Sequence, residues 1–195
     1  MEQIRAFIAV DLSIGVREAL GRTLQDLLGI SPRRLRWVKP NNIHLTLIFL
    51  GGISTGSVVP VCRAMSRCAI SIDPFELVTK GIGTFPSSNT PRVIWLGLGG
   101  AVDELQSLQK LLENSMVDFG YVREKRQFNP HLTLGRMADG ASAHGRRKIW
   151  DSLAKIPTET GIKVSVRSIS LMQSTFNSSG VVYKRLFHAY LGGVS

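Results

Sequence analysis

Apolar positions along this chain follow two rhythms, one of strand length and one of helical spacing. Residues 5–12 form a short apolar run, and Val16, Ala19, Leu20, Thr23, Leu24, Leu27 and Leu28 then recur three and four residues apart, as one face of a helix requires. Gly29 is a natural stop for that helix. A basic connector with Arg33, Arg34, Arg36 and Lys39 leads to Asn41-Asn42 and a second strand-length run, residues 43–50, closed by Gly51-Gly52. The predicted order is strand, helix, strand.

The same order returns later. Residues 92–98 resemble a strand, and Leu105, Leu108, Leu112, Ser115, Met116 and Phe119 line one helical face. A basic connector, residues 123–126, then leads to Pro130-His131-Leu132-Thr133-Leu134. Arg5 precedes His44 by 39 residues and Arg92 precedes His131 by 39, so the two histidines are 87 apart. A shift of 87 puts Asn42 on Asn129 and Lys39 on Arg126, lays a candidate helix at 57–69 on 144–156, and carries the strand-like 75–85 onto 162–172. A last strand candidate, 181–191, would complete the sheet of one half. The expected fold is therefore α+β and duplicated. Residues 1–195 form one domain of two pseudo-symmetric lobes, two mainly antiparallel sheets with outer helices around a central cleft.

Strand geometry then gives the repeated tetrapeptide a chemical meaning. Side chains alternate between the faces of a strand, so His44 and Thr46 point one way while Leu45 and Leu47 point the other. His131 and Thr133 stand in the same relation to Leu132 and Leu134. If the leucines face a core, an imidazole and a hydroxyl are presented together on the opposite face, and a two-fold axis brings two such pairs to one cleft. Phosphodiester hydrolysis needs a base to activate water and an acid, roughly in line, to protonate the leaving oxygen. Histidine serves in either state near neutrality, and threonine hydroxyls can donate to the non-bridging phosphate oxygens. Neither strand carries an acidic cluster for Mg²⁺, and two histidines without carboxylate or thiolate support fall short of a metal site. No metal or other cofactor is expected. His144, beside Arg146-Arg147-Lys148, and His188 lack a threonine partner and read as structural.

Charge suggests the partner. Lys and Arg outnumber Asp and Glu by 24 to 14, a formal net charge of +10 on 195 residues, which favours a phosphate-rich ligand. Arg36, Lys39, Arg123 and Arg126 occupy the approaches to the two histidine strands, and Arg136 follows Thr133 by three residues, so together they form a candidate basic rim. Trp37, Phe85, Phe128 and Tyr183 are candidates for stacking on a base. Gly81-Ile82-Gly83-Thr84 and Gly97-Leu98-Gly99-Gly100 lack the Rossmann and P-loop patterns, which weighs against an ATP-dependent ligase or kinase. Cys62 and Cys68 have neither metal-site nor disulfide-framework spacing. The chain start lacks a signal-peptide pattern, and no apolar run reaches the roughly 18 residues of a membrane helix. The expectation is a cytoplasmic monomer that does not engage membranes.

Several of these segments carry a family resemblance. Arg5-Ala6-Phe7-Ile8-Ala9-Val10, Arg36-Trp37-Val38, Asn42-Ile43-His44-Leu45-Thr46-Leu47 with Leu50-Gly51, and Gly83-Thr84-Phe85-Pro86 resemble the two-histidine phosphoesterase superfamily. Within it they are similar to the RNA 2′,3′-cyclic phosphodiesterases, also called 2′-5′ RNA ligases. Pro91-Arg92-Val93-Ile94-Trp95-Leu96-Gly97, Pro130-His131-Leu132-Thr133-Leu134-Gly135-Arg136, Ser174 and Gly180-Val181-Val182-Tyr183 extend the resemblance nearly end to end. It implies a bilobal fold and hydrolysis of a 2′,3′-cyclic phosphate, on RNA ends or cyclic nucleotides, to a 2′-phosphomonoester. It also implies His44 as proton donor to the departing 3′ oxygen, His131 as the acceptor that activates water, and Thr46 and Thr133 as phosphate ligands. Arg136, Arg126 and Tyr183 complete the expected substrate-binding set. Residues 138–147 are less regular and bear on substrate preference. Two alternatives stay open: an ATP-independent 2′-5′ RNA ligase running the same chemistry in reverse, and an inactive module that binds RNA ends.

Overall fold

The computed structural model describes residues 2–29, 35–124, 126–156, 158, 160–178 and 180–193. Arg33 and Arg34 of the first basic connector and Lys125 of the second lie outside the described residues. The elements run β1 (Gln3–Val10), α1 (Ile14–Leu28), β2 (Leu35–Trp37), β3 (Leu45–Ser54), α2 (Val58–Ile70), β4 (Phe75–Phe85), β5 (Val93–Gly100) and α3 (Val102–Met116). They continue with β6 (His131–Met137), α4 (Ala143–Leu153), β7 (Lys163–Val166), β8 (Ser168–Asn177) and β9 (Gly180–Tyr190).

Local chemistry accounts for the helix ends. The Ser13 hydroxyl accepts from the Val16 backbone N–H at 3.3 Å and opens α1, and Ser142 does the same for Gly145 at 3.1 Å to open α4. Each satisfies one of the free donors that a helix start leaves. Helix α3 has no side-chain cap but carries Asp103 and Glu104 in its first turn, where negative charge complements the helix dipole. In α1 the buried face is Val16, Ala19, Leu20, Thr23, Leu24 and Leu27. Leu28, expected on that face, is exposed.

The strands form one antiparallel sheet in the order β7-β4-β5-β6-β3-β1-β8-β9, with β2 added beside β6. Outward from the β3–β6 junction the two halves read β3-β1-β8-β9 and β6-β5-β4-β7, so each strand has a counterpart at the same distance from the centre. The two sheets expected from the duplication are thus the two halves of one. Segment 162–172, expected to repeat 75–85 as one strand, is divided. β7 pairs with β4 at one end, β8 pairs with β1 in the other half, and only Arg167 separates them in sequence. A one-residue link between opposite halves requires the sheet to curl strongly. β4, from the first half of the chain, lies in the half-sheet of β5 and β6, and β8 lies in that of β1 and β3, so the lobes have exchanged strands.

The helices cover one face of the sheet. Leu45, Leu132, Leu96 and Ile94 join Leu20, Met65, Leu105 and Leu112 in a single buried cluster, and the opposite face lines the cleft. Leu45 pairs with Leu132 across the junction, and both side chains have no exposed surface. Truncating either to alanine removes buried methyl groups at the seam of the lobes. Leu132→Ala should cost about 2–5 kcal/mol, read as a lower urea midpoint with an unchanged m-value.

Candidate active site

The Leu45–Leu132 pair decides where the histidines go. With both leucines turned to the core, alternation sends His44, Thr46, His131 and Thr133 to the cleft face, where all four are half-buried. Antiparallel strands about 4.8 Å apart, rising about 3.4 Å per residue, put the two histidine Cα atoms roughly 8 Å apart, on either side of the pseudo-two-fold axis.

Both imidazoles are anchored identically. His44 Nδ1 lies 2.7 Å from the carbonyl oxygen of Asn42, and His131 Nδ1 lies 2.7 Å from that of Asn129. A carbonyl only accepts, so Nδ1 is the protonated nitrogen in each ring and Nε2 is left to exchange a proton in the cleft. The Asn42 side chain donates to the Val181 carbonyl at 3.1 Å, tying the first anchor to β9. No other described residue engages the hydroxyl of Thr46 or Thr133, so both are available to a ligand.

Aromatic walls hold the rings. Phe7 stacks on His44 with centroids 4.7 Å apart, and Tyr183 meets it edge-on at 5.1 Å. On the other side Phe85 meets His131 edge-on at 5.0 Å, and Trp95 lies 6.2 Å away. Trp95 occupies its place because Gly83 beneath it has no side chain; a Cβ there would collide with the indole. Burial lowers the pKa of His44, partly opposed by the Asn42 carbonyl and Asp11, while Arg17 and His131 push the same way as burial. Burial also lowers that of His131, opposed by the Asn129 carbonyl and reinforced by Arg136. His44 thus has a carboxylate and a guanidinium acting on it in opposite directions, whereas the charged side chain acting on His131 is Arg136, which favours its neutral form.

Other expected site residues divide. Tyr183 lies against His44, and its phenol is raised by burial but lowered by the charge of Arg136. Arg136 thus acts on His131 and on Tyr183, one from each half, and carries no ion pair among the described residues. Arg36 is the register partner of Arg136 and is likewise exposed. Arg126 is not brought to the histidines: its side chain is 90% exposed and pairs with Glu124 at 3.6 Å. Arg123 donates to Asn114 at 2.7 Å. Phe128 packs at the edge of the core, so of the stacking candidates only Phe85 and Tyr183 contact a histidine.

Three residues escaped the sequence reading. Phe7 and Trp95 contact the histidines, and Asp11 acts on His44. The 87-residue shift equates Phe7 with Ile94 and so conceals Phe7 and Trp95 as a pair. Asp11 anchors a network, accepting from Ser170 at 2.8 Å and Arg185 at 3.1 Å.

The profile of the LigT-like phosphoesterases matches residues 10–95 and again 98–183, one match per repeat. The chain belongs to this family. It is 31% identical over 183 residues to an RNA 2′,3′-cyclic phosphodiesterase of Archaeoglobus fulgidus, covering 94% of this chain and 98% of that one. It is 30% identical to the enzyme of the same name from Aquifex aeolicus, covering 99% and 100%. The crystal structure of Escherichia coli LigT complexed with 3′-AMP superposes with a TM-score of 0.78 at 26% identity, covering 97% of this chain and 99% of that one.

The electrostatics of the site are testable by NMR titration of the imidazoles. His44 and His131 should both titrate below the ordinary 6.5. Asp11→Asn should lower the His44 midpoint further, and Arg136→Gln should raise that of His131. Since both groups bind protons less well folded than unfolded, their contribution to stability is complete above 6.5 and is lost as pH falls through the folded midpoints.

Proposed function

We propose that this protein hydrolyses 2′,3′-cyclic phosphates of RNA ends or nucleotides to 2′-phosphomonoesters, without a metal ion, as one two-lobed monomeric unit. The observation that carries this reading is the pair of identically anchored imidazoles, one from each half, each with Nε2 free and a threonine hydroxyl two residues away. Among the described residues there is no group of three or more His, Cys, Asp or Glu side chains that could hold a metal; the proposed chemistry is proton transfer by the two imidazoles.

In this reading His131 Nε2 takes a proton from water as the water oxygen attacks phosphorus. The bond from phosphorus to the 3′ oxygen breaks, and that oxygen receives the proton from His44 Nε2. Thr46 and Thr133 donate to the non-bridging oxygens, where charge develops. Asp11 favours the charged form in which the acid must begin, against burial, Arg17 and His131, and Arg136 favours the neutral form in which the base must begin. Arg136 supplies the positive charge that offsets the phosphate. Supporting this reading, the family relatives bear the name RNA 2′,3′-cyclic phosphodiesterase over nearly their whole lengths. No helix among the described residues is long and apolar enough to cross a membrane.

His44→Ala and His131→Ala should each lower kcat by about 10²–10⁴ on a 2′,3′-cyclic phosphate; full activity in both would overturn the assignment. Turnover should survive excess EDTA. The profile of kcat/KM should be a bell reporting the free enzyme, rising as His131 loses its proton and falling as His44 loses its own. Because both shifts are downward, both limbs should lie below 6.5. Incubation with an RNA 5′-hydroxyl end and quantification of joined against hydrolysed product separates hydrolysis from ligation, which uses the same groups in reverse.

A further inference from the structure

Arg36 and Arg136 stand side by side without a counterion. β6 is bordered along one edge by β5, and along the other by β3 at Leu45 and then by β2, where Arg36 is the register partner of Arg136. The neighbouring pair, Leu35 and Met137, is buried, so alternation turns both guanidiniums to the cleft face. Directly opposed residues have Cα atoms about 4.5–5.5 Å apart, and like charges at that spacing destabilise a sheet. Neither arginine makes an ion pair with a described residue, whereas Arg17 and Arg185 share the carboxylate of Asp11. Two adjacent guanidiniums with no carboxylate between them suit the oxygens of a phosphate.

Position says which phosphate. Arg136 lies three residues past Thr133, and because Leu134 bulges out of the β5–β6 register, the separation is about two strand steps, roughly 7 Å. Antiparallel pairing continued from Leu45–Leu132 sets His44 opposite Thr133, so the arginines form the next cleft-facing pair beyond the acid, with Arg36 on the acid's edge of β6. In an in-line displacement the acid stands by the leaving oxygen, and the leaving 3′ oxygen stays on the ribose of the terminal nucleotide. That ribose therefore lies toward His44. In RNA its 5′ carbon carries a second phosphate, the diester to the preceding nucleotide, which a free nucleoside 2′,3′-cyclic phosphate lacks.

We propose that Arg36, with Arg136 beside it, binds the 5′ phosphodiester of the terminal nucleotide, so that the site distinguishes an RNA end from a free cyclic nucleotide. This deepens the hydrolytic reading and rests on His44 as its acid. Contacts to a backbone phosphate carry no sequence information, so the preference applies to every RNA end alike.

The test compares adenosine 2′,3′-cyclic phosphate with the same compound bearing a 5′ methyl phosphodiester. In the wild-type protein kcat/KM should favour the 5′-substituted compound by about 10-fold at low salt, and the preference should shrink as salt is raised. In Arg36→Gln it should disappear, chiefly through KM, while the thermal midpoint holds or rises because a like-charge pair has been relieved. Arg36→Lys, which keeps the charge without the planar fork, should retain part of the preference. A wild-type preference that is absent or insensitive to salt, or one that survives intact in Arg36→Gln, overturns the phosphate site alone when His44→Ala is inactive on both compounds. A lower midpoint in Arg36→Gln contradicts the like-charge pair from which the site is inferred. His44→Ala turning over both compounds like the wild type overturns the acid assignment and the placement with it.

Discussion

The site depends on one pairing at the middle of the sheet, Leu45 against Leu132. Both leucines are held in the core with no exposed surface, and a strand that commits one residue to the core commits its neighbours to the other face. The imidazole and hydroxyl on each side of this pair therefore reach the cleft as a consequence of packing. Because the paired residues come from different halves of the chain, neither half contains the site. The cleft exists only where the halves join, and the burial that holds them together also orients the chemistry.

Within this near-symmetric frame the two walls are chemically unlike. The Nδ1 anchors are the same in kind and in length, 2.7 Å on each side, so both rings present the same nitrogen. What differs surrounds them. His44 lies between Phe7 and Tyr183 with Asp11 nearby, while His131 lies beside Phe85 and Trp95 under the influence of Arg136. Burial lowers both imidazoles; at His44 Asp11 opposes it while Arg17 adds to it, and at His131 Arg136 adds to it, so two similarly held rings sit among different charges.

Glycines keep the aromatic walls close. Gly83 leaves room for Trp95, and Gly135 lies under Trp37, where a Cβ would meet the indole Cε3 at 2.9 Å and the Arg36 carbonyl at 3.3 Å. A side chain at either position would have to displace the indole that lies over it. These close approaches account for glycine in the middle of strands, where it is otherwise costly.

The periodicity of the chain by itself determined most of the elements, though not β2, which lies in the stretch read as a basic connector, together with the repeat of 87 residues and the two faces of each histidine strand, because these follow from local geometry and from identical short motifs. His44, Thr46, His131 and Thr133 were legible for the same reason, and Arg136 from its place just beyond the second motif. Only the tertiary structure decided that β4 and β8 cross to each other's lobe, that 162–172 divides at Arg167, and that one curled sheet carries both halves. It also decided that Phe7 and Trp95 flank the rings and that Arg126 faces solvent. Strand partners are chosen by contacts between residues far apart in the chain, and a repeat in sequence leaves open which copy of a strand completes which half.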